Sequence, residues 1–193
     1  MNGNLITPVF NIEKAINVVL YVANKVDKKD FHKIFKVIYF ADKEHLSEWG
    51  RTISGDSYIA MNAGPVPTRI YDMLKIVRGD SLYSSDKELT AFYSQFFEVN
   101  GNYFLIPKKE ADCSLLSKSD MACLDKSISE NSDLSFNAIC EKSHDFAWHN
   151  TPRDNMMNFA DIMREDGNTE EFVSFINERM LIDKFYAARG EKA

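Results

Sequence analysis

The chain has 193 residues, 45% hydrophobic and 27% charged, enough to bury a full apolar core without disulfide or metal staples. Its 14 Phe, 8 Tyr and 2 Trp exclude a chain that cannot collapse. A formal net charge of −6 argues against gripping nucleic acid by bulk charge. The charge is split unevenly, +2 over residues 1–109 and −8 over residues 110–193. The acidic half reads either as a steering surface for a basic partner or as the wet faces of helices.

Apolar residues at Ile12, Ile16, Val19, Leu20, Ala23 and Val26 predict a helix over 9–26. A second helix is predicted over 29–48, with Phe31, Ile34, Phe35, Ile38, Tyr39 and Leu46 on its apolar face. Its opposite stripe of Lys29, Lys33, Lys36 and Lys43 reads as solvated. Gly50 stops it. Ser57–Met61 reads as a short strand, and Gly64-Pro65-Val66-Pro67 as a break that launches a helix over 67–78. Residues 80–94 are ambiguous, with a short helix from Asp86.

Residues 95–99 and 102–106 flank Asn100-Gly101, the pattern of a two-residue hairpin turn. Ser117 and Asp120 resemble a capping box opening a helix over 118–130. Helices over 135–143, 158–164 and 169–188 follow, with an aromatic knot at Phe146–Trp148. Phe172, Phe175, Ile176, Met180 and Ile182 are the expected anchors of the last helix. The expected fold is mainly α (α+β): seven to eight helices around one core, an antiparallel hairpin and a short extra strand.

The chain carries few marks of chemistry. Cys113, Cys123 and Cys140 form no C-x-x-C. With His144 they would supply four zinc-type ligands, but at irregular spacing, and free cysteine is commonly a small buried hydrophobe. Asp42, Glu44, His45 and Glu48 share one helix without an H-E-x-x-H. No G-x-S-x-G, P-loop or G-x-G-x-x-G is present. No cofactor is expected. The helix start after Pro67 exposes backbone donors to a carboxylate, from a partner or from Asp42 or Asp56 within the fold. No apolar run spans a membrane and no signal peptide is evident, so a reduced, cytoplasmic protein is expected.

The most distinctive stretch runs from Lys36 to Lys75. It contains Lys36, Tyr39-Phe40-Ala41-Asp42, His45-Leu46, Trp49-Gly50-Arg51, Ile53, Gly55-Asp56, Tyr58, Gly64-Pro65-Val66-Pro67 and Ile70-Tyr71-Asp72. In this order the residues resemble the Panacea domain, the SocA-like antitoxin domain. The hairpin at 97–106, the helix start at Ser117, and Ser143-His144 with Ala147-Trp148 are similar to the family's later elements. The likeness covers about 10–165. Here Phe146-Ala147 precedes the tryptophan, where the family often has acidic residues and proline.

The resemblance implies a domain over 5–165 with a helical extension over 166–193, packed on it or used for partner binding. It implies an antitoxin of a two-gene system, common on phages and mobile elements, that binds a cognate protein toxin and is not an enzyme. One alternative is an adaptor that hands the toxin to an energy-dependent protease, which would shorten toxin half-life. Another is a small metal-dependent hydrolase using Asp42, His45 and Asp56. No direct DNA binding is expected, since no fused DNA-binding domain is visible, and a homo-oligomer is compatible. Tyr39, Asp42, His45, Trp49, Gly55, Asp56, Gly64, Pro65, Val66, Tyr71, His144 and Trp148 are the motif positions, structural or toxin-binding. Trp49, Phe146 and Trp148 are expected in the core on ordinary burial tendencies, and as binding hot spots where exposed.

Overall fold

A computed structural model of the chain describes residues 7–80 and 86–190. Part of the ambiguous stretch (81–85) and the outermost ends of the expected domain and extension (5–6 and 191–193) lie outside the described residues. The elements run α1 (Ile12–Lys25), α2 (Phe31–Trp49), β1 (Tyr58–Met61), β2 (Gly64–Pro67), α3 (Thr68–Arg78), α4 (Lys87–Tyr93), β3 (Phe97–Asn100) and β4 (Phe104–Pro107). Then come a single 3₁₀ turn (Cys113–Leu115), α5 (Lys118–Asn131), α6 (Phe136–Ser143), α7 (Phe146–His149), α8 (Phe159–Glu165) and α9 (Glu170–Ala188). The chain is mainly α, with two small antiparallel pairs. The described helices exceed the expected count because the aromatic knot is itself a one-turn helix, α7.

Most helix starts follow the side chains that sequence places there. Asn11, Asp30, Asp86, Ser135 and Thr169 each accept a backbone N–H of the first turn that follows. Ser117 and Asp120 form the reciprocal capping box. Asn11 as cap explains why α1 begins at Ile12 and not at 9. The helix α2 ends at Gly50 in the left-handed conformation.

The helix α2 is the axis, packed by α1, α5, α6, α8 and β2. From Ala15 to Ala23 every residue of α1 is buried. With α2, α3, the second hairpin and the start of α5 it builds one apolar cluster. Each large aliphatic side chain buried there contributes about 1.5–3 kcal/mol. A second cluster joins Tyr39 and Leu46 of α2 and Tyr58 and Ala60 of β1 to α8 and α9.

Four expectations are corrected. Gly64–Pro67 is itself a strand, paired with β1 from Tyr58↔Pro67 to Met61↔Gly64. Its prolines fit because β2 is an edge strand. The second hairpin registers Asn100 with Phe104, so three residues form the loop and not Asn-Gly alone. In α9, Val173, Ile176 and Met180 are buried while Phe175 and Ile182 are exposed. Its apolar residues surround the helix, so sequence alone did not select the docking face. Finally, Lys33 and Lys36 are buried and Lys43 nearly so, because backbone carbonyls and carboxylates across the interface accept their ammonium groups.

Candidate functional site

His32, Lys36, Tyr39 and Lys43 stand four, three and four residues apart, on one face of α2. That face meets β2, α6 and α7. Lys36 is fully buried and its Nζ donates to the Pro65 carbonyl at 2.7 Å. Burial pushes its ammonium down to about 7. His32 Nε2 lies 3.2 Å from both the Ala63 carbonyl and Cys140 Sγ, and its ring packs on Phe136. Burial holds that imidazole down to about 4 and raises the Cys140 thiol. Tyr39 donates to Asp145 at 2.6 Å, and burial together with that carboxylate raises its phenol well above the ordinary value. Lys43 bridges Asp145 and Glu165, each at 3.0 Å. Burial disfavours its charge, but the two carboxylates outweigh burial and raise the ammonium.

Asp42 and His45 occupy the adjoining face. Asp42 accepts the backbone N–H of Ile53 at 2.7 Å and of Ser54 at 2.9 Å, the Ser54 hydroxyl, and the Tyr58 hydroxyl at 2.6 Å. Burial raises its carboxyl, against the pull of these donors. The Ser54 hydroxyl in turn accepts Asp56 N–H. Asp56 then accepts the N–H groups of Arg69 and Ile70 at 3.1 and 2.8 Å and the Thr68 hydroxyl. The internal carboxylate therefore occupies the start of α3 and offsets its positive end. Burial raises Asp56 as well.

His45 Nδ1 donates to the Arg51 carbonyl at 2.8 Å, and Nε2 faces Ser119 and Asp120 at 3.0 and 3.1 Å. Asp120 also takes Lys14 at 2.6 Å and Arg51 at 2.8 Å. Burial would raise its carboxyl, but hydrogen bonds from His45 and Lys14 hold it well below the usual range.

The remaining motif residues fix the first hairpin to its neighbours. Gly64 has φ +92°, and a Cβ there would strike Ser143 Oγ and approach Lys36 Cε to 2.9 Å. Only glycine lets α2 and α6 close over the strand. Gly55 lies where the Val9 carbonyl passes, 2.8 Å from the position of a Cβ. Trp148 donates to the Met61 carbonyl at 2.9 Å and stacks on His144 with ring centres 3.8 Å apart. The buried His144 Nε2 has no hydrogen-bond partner among the described residues. Val66 and Tyr71 pack against the first cluster, Tyr71 edge-on to Phe31 and Phe35.

The motif thus gathers around β1–β2, but as buried bonding networks and not as an open catalytic constellation. Asp42, His45 and Asp56 are all closed off from solvent, each with its own partners. The zinc-type set is dispersed: Cys113 is exposed on the 3₁₀ turn, Cys123 is buried in α5, Cys140 sits beside His32, and His144 lies on Trp148. Among the described residues, Glu44, Glu48 and Cys123 are the one group with three metal-type donors close together. Trp49 and Phe146, expected in the core, are 60% and 52% exposed. Each sits at a helix terminus, where the chain turns away from the packed layer.

Lys36, Ser54, Tyr58, Asp120, Ser143 and Asp145, which are not among the twelve expected site residues, hold the networks together. For Lys36 a signal existed. It stands one turn before Tyr39, a residue that the pattern places on the apolar face of the helix.

Two concave surfaces flank the C-terminal end of α2. One is an acidic groove of about 560 Å³, lined by Glu44, Glu48, Glu130, Asp145, Glu165 and Asp166. Its three lysines are paired to those carboxylates: Lys43 to Asp145 and Glu165, Lys126 to Glu44, and Lys142 to Glu130. The other is a smaller pocket of about 330 Å³ under α9, beside Trp49.

The family model for the SocA-like antitoxin, Panacea domain, matches residues 34–149, more than half of the chain. The matched segment runs from α2 to α7 and contains Asp42, Asp56, Tyr58 and Lys36 with the strand they hold, while His32, Lys14 and Glu165 lie outside it. No curated protein and no solved structure matches the chain.

Proposed function

The chain belongs to the SocA-like Panacea antitoxin family, and from that premise we propose that it is an antitoxin that neutralises a cognate protein toxin by binding it directly. The family match carries this reading. The motif supports it, since most of its titratable side chains, Tyr39, Asp42, His45 and Asp56 among them, are committed to bonds within the fold. That suits a scaffold presenting a surface more than a site moving protons. Among the described residues no helix is long and apolar enough to cross a membrane.

The acidic groove is the surface that fits a basic toxin. More carboxylates than lysines line it, so it carries a net negative field. The exposed Trp49 follows Glu48 in the chain and lines the neighbouring pocket on the other side of the end of α2. Charge of one sign on a concave face steers a partner of the opposite sign, and an exposed aromatic on the adjoining face is a hot-spot candidate for the same partner. Binding there would occlude the toxin's own working surface.

Co-expression with the product of the neighbouring gene tests the reading. Growth is expected to stop with that gene alone and to be restored by this chain. A product that stays toxic in the presence of this chain overturns the proposal. With purified partners, the association rate should fall by about tenfold or more as salt rises, because steering by exposed charge is screened. A salt-independent rate would remove the acidic groove from the mechanism.

A further inference from the structure

The pocket under α9 is built largely from outside the matched segment. Pro8, Val9 and Lys14 come from the chain entering and beginning α1, and Phe175, Arg179 and Asp183 from α9. Only the wall from Trp49 to Gly55 lies within residues 34–149. Its chemistry is opposite to that of the protein as a whole. Lys14, Arg51 and Arg179 line it, against the single carboxylate of Asp183. Behind the wall, the buried Asp120 engages both Lys14 and Arg51. The pocket therefore keeps about one uncompensated positive charge on a chain of net charge −6.

Three further observations say what would enter it. Arg179 is exposed and makes no ion pair among the described residues. Thr52 is 5% exposed and its hydroxyl has no hydrogen-bond partner among the described residues, although buried polar atoms are ordinarily satisfied. Trp49 and Phe175 expose 60% and 55% of their surface beside these groups. A guanidinium without an ion pair, in a pocket whose wall also holds an unsatisfied hydroxyl, matches an oxyanion, and the flat rings match an apolar neighbour of that anion. One net positive charge suits a monoanionic carboxylate better than a phosphate dianion. The volume, about 330 Å³, is at the small end for ligand pockets (about 300–1,000 Å³) and suits side chains.

We infer that this pocket receives an Asp or Glu side chain of the partner protein, flanked by an aromatic residue. The inference rests on the antitoxin reading for the identity of the partner, but the pocket's chemistry can be tested alone. The groove and the pocket share the end of α2, so one partner can cover both, with its basic surface on the groove and one acidic–aromatic segment in the pocket.

Two measurements test it. First, the isotopically labelled full chain is titrated with acetyl-Phe-Glu-amide, acetyl-Phe-Gln-amide and inorganic phosphate, following amide signals by NMR. The Glu peptide is expected to bind at least tenfold tighter than the Gln peptide and to move the signals of Arg51, Thr52, Gly55 and Arg179. Arg179→Glu, at an exposed position, should weaken that binding at least tenfold, and Thr52→Val severalfold. Equal response to the two peptides, tighter binding of phosphate, or signals that do not move overturns the proposal.

Second, Arg179→Glu is compared with the unaltered chain in the co-expression assay, where rescue should drop at least tenfold. If both rescue equally, the pocket is not where the partner's carboxylate goes, while the antitoxin reading stands. If the unaltered chain does not rescue at all, the antitoxin reading fails and the peptide titration alone decides the pocket.

Discussion

The two hairpins are of equal strand length and held in opposite ways. In the second, β3–β4, only Phe97 and Leu105 are buried, and most of the other strand residues face water. It attaches by backbone contacts, Leu105 N–H to the Lys29 carbonyl at 2.8 Å and Phe31 N–H to the Tyr103 carbonyl at 2.9 Å. The first, β1–β2, is enclosed. Side chains from α2 and α7 bond it at Tyr58, Met61 and Pro65, and the segment Asp154–Met157 covers the free edge of β1. The half-wet hairpin gives the alternation that a strand pattern needs. The enclosed one replaces alternation with specific buried polar bonds. Its first strand still reads as a strand, as Ser57–Met61 does, while Gly64–Pro67 reads as a motif and a break.

The largest difference should come from the buried carboxylate beneath the enclosed hairpin. Asp42→Ala leaves two backbone N–H groups and two hydroxyls without their acceptor. At about 1–3 kcal/mol for each buried polar group left unsatisfied, the loss should be about 3 kcal/mol or more. Glu98→Ala in the open hairpin removes only an exposed pairing with Lys108 at 3.7 Å, and should change stability by less than about 0.5 kcal/mol. Urea unfolding of both variants measures the contrast. Similar losses would mean that Asp42 is not the support the geometry makes it.

A glycine in each hairpin sharpens the contrast at a smaller scale. Both have positive φ, +92° at Gly64 and +60° at Gly101. A Cβ at Gly101 meets open space, so Gly101→Ala should cost only its backbone strain, about 1 kcal/mol. At Gly64 the same strain is joined by collision with Ser143 and Lys36, which ties the strand to two helices at once. Gly64→Ala should therefore cost about 2–3 kcal/mol. Thermal midpoints that fall equally for the two would show that α6 yields to the added methyl.

The same contrast explains what was legible in the sequence. Helix positions were readable because caps and turn glycines act locally, as at Gly50, Asp86 and Ser117. Alternation located the second hairpin to within two residues, though the loop length escaped, since Gly101 serves a three-residue loop as well as a two-residue one. The motif around Asp42, Asp56 and Gly64 was visible as a string, but its bonding partners were not. Ser54, Ser143 and Asp145 acquire meaning only through contacts across the fold. The lysine stripe misled for the same reason: spacing assigns a helix face, but not what covers it. In α9, apolar residues on all sides left the buried face undecided, and with it the pocket that the helix closes.

Lys36 offers the finest test, because it supports the enclosed hairpin with a charge that burial resists. Its folded-state ammonium titrates at about 7, below the ordinary lysine value of 10.5 from which burial displaces it. Between those values the unfolded chain binds more protons than the folded one, so this group's contribution to stability rises with pH and is lost as pH falls towards 7. From pH 7 to 8.5 the gain is on the order of 1–2 kcal/mol, given about 1.4 kcal/mol per unit. The groups facing it are His32, Cys140 and His144. His32 titrates at about 4, below the window, while burial raises Cys140 and lowers His144. Asp42 and Asp56 are raised by burial and act in the opposite sense, so the informative quantity is the difference between variants. Lys36→Met should flatten the rise between pH 7 and 8.5, whereas Lys108→Met in the open hairpin should leave it intact. If the rise survives in Lys36→Met, the ammonium is solvated more than its enclosure by Pro65 and Gly64 implies, and the two hairpins differ less than their bonding indicates.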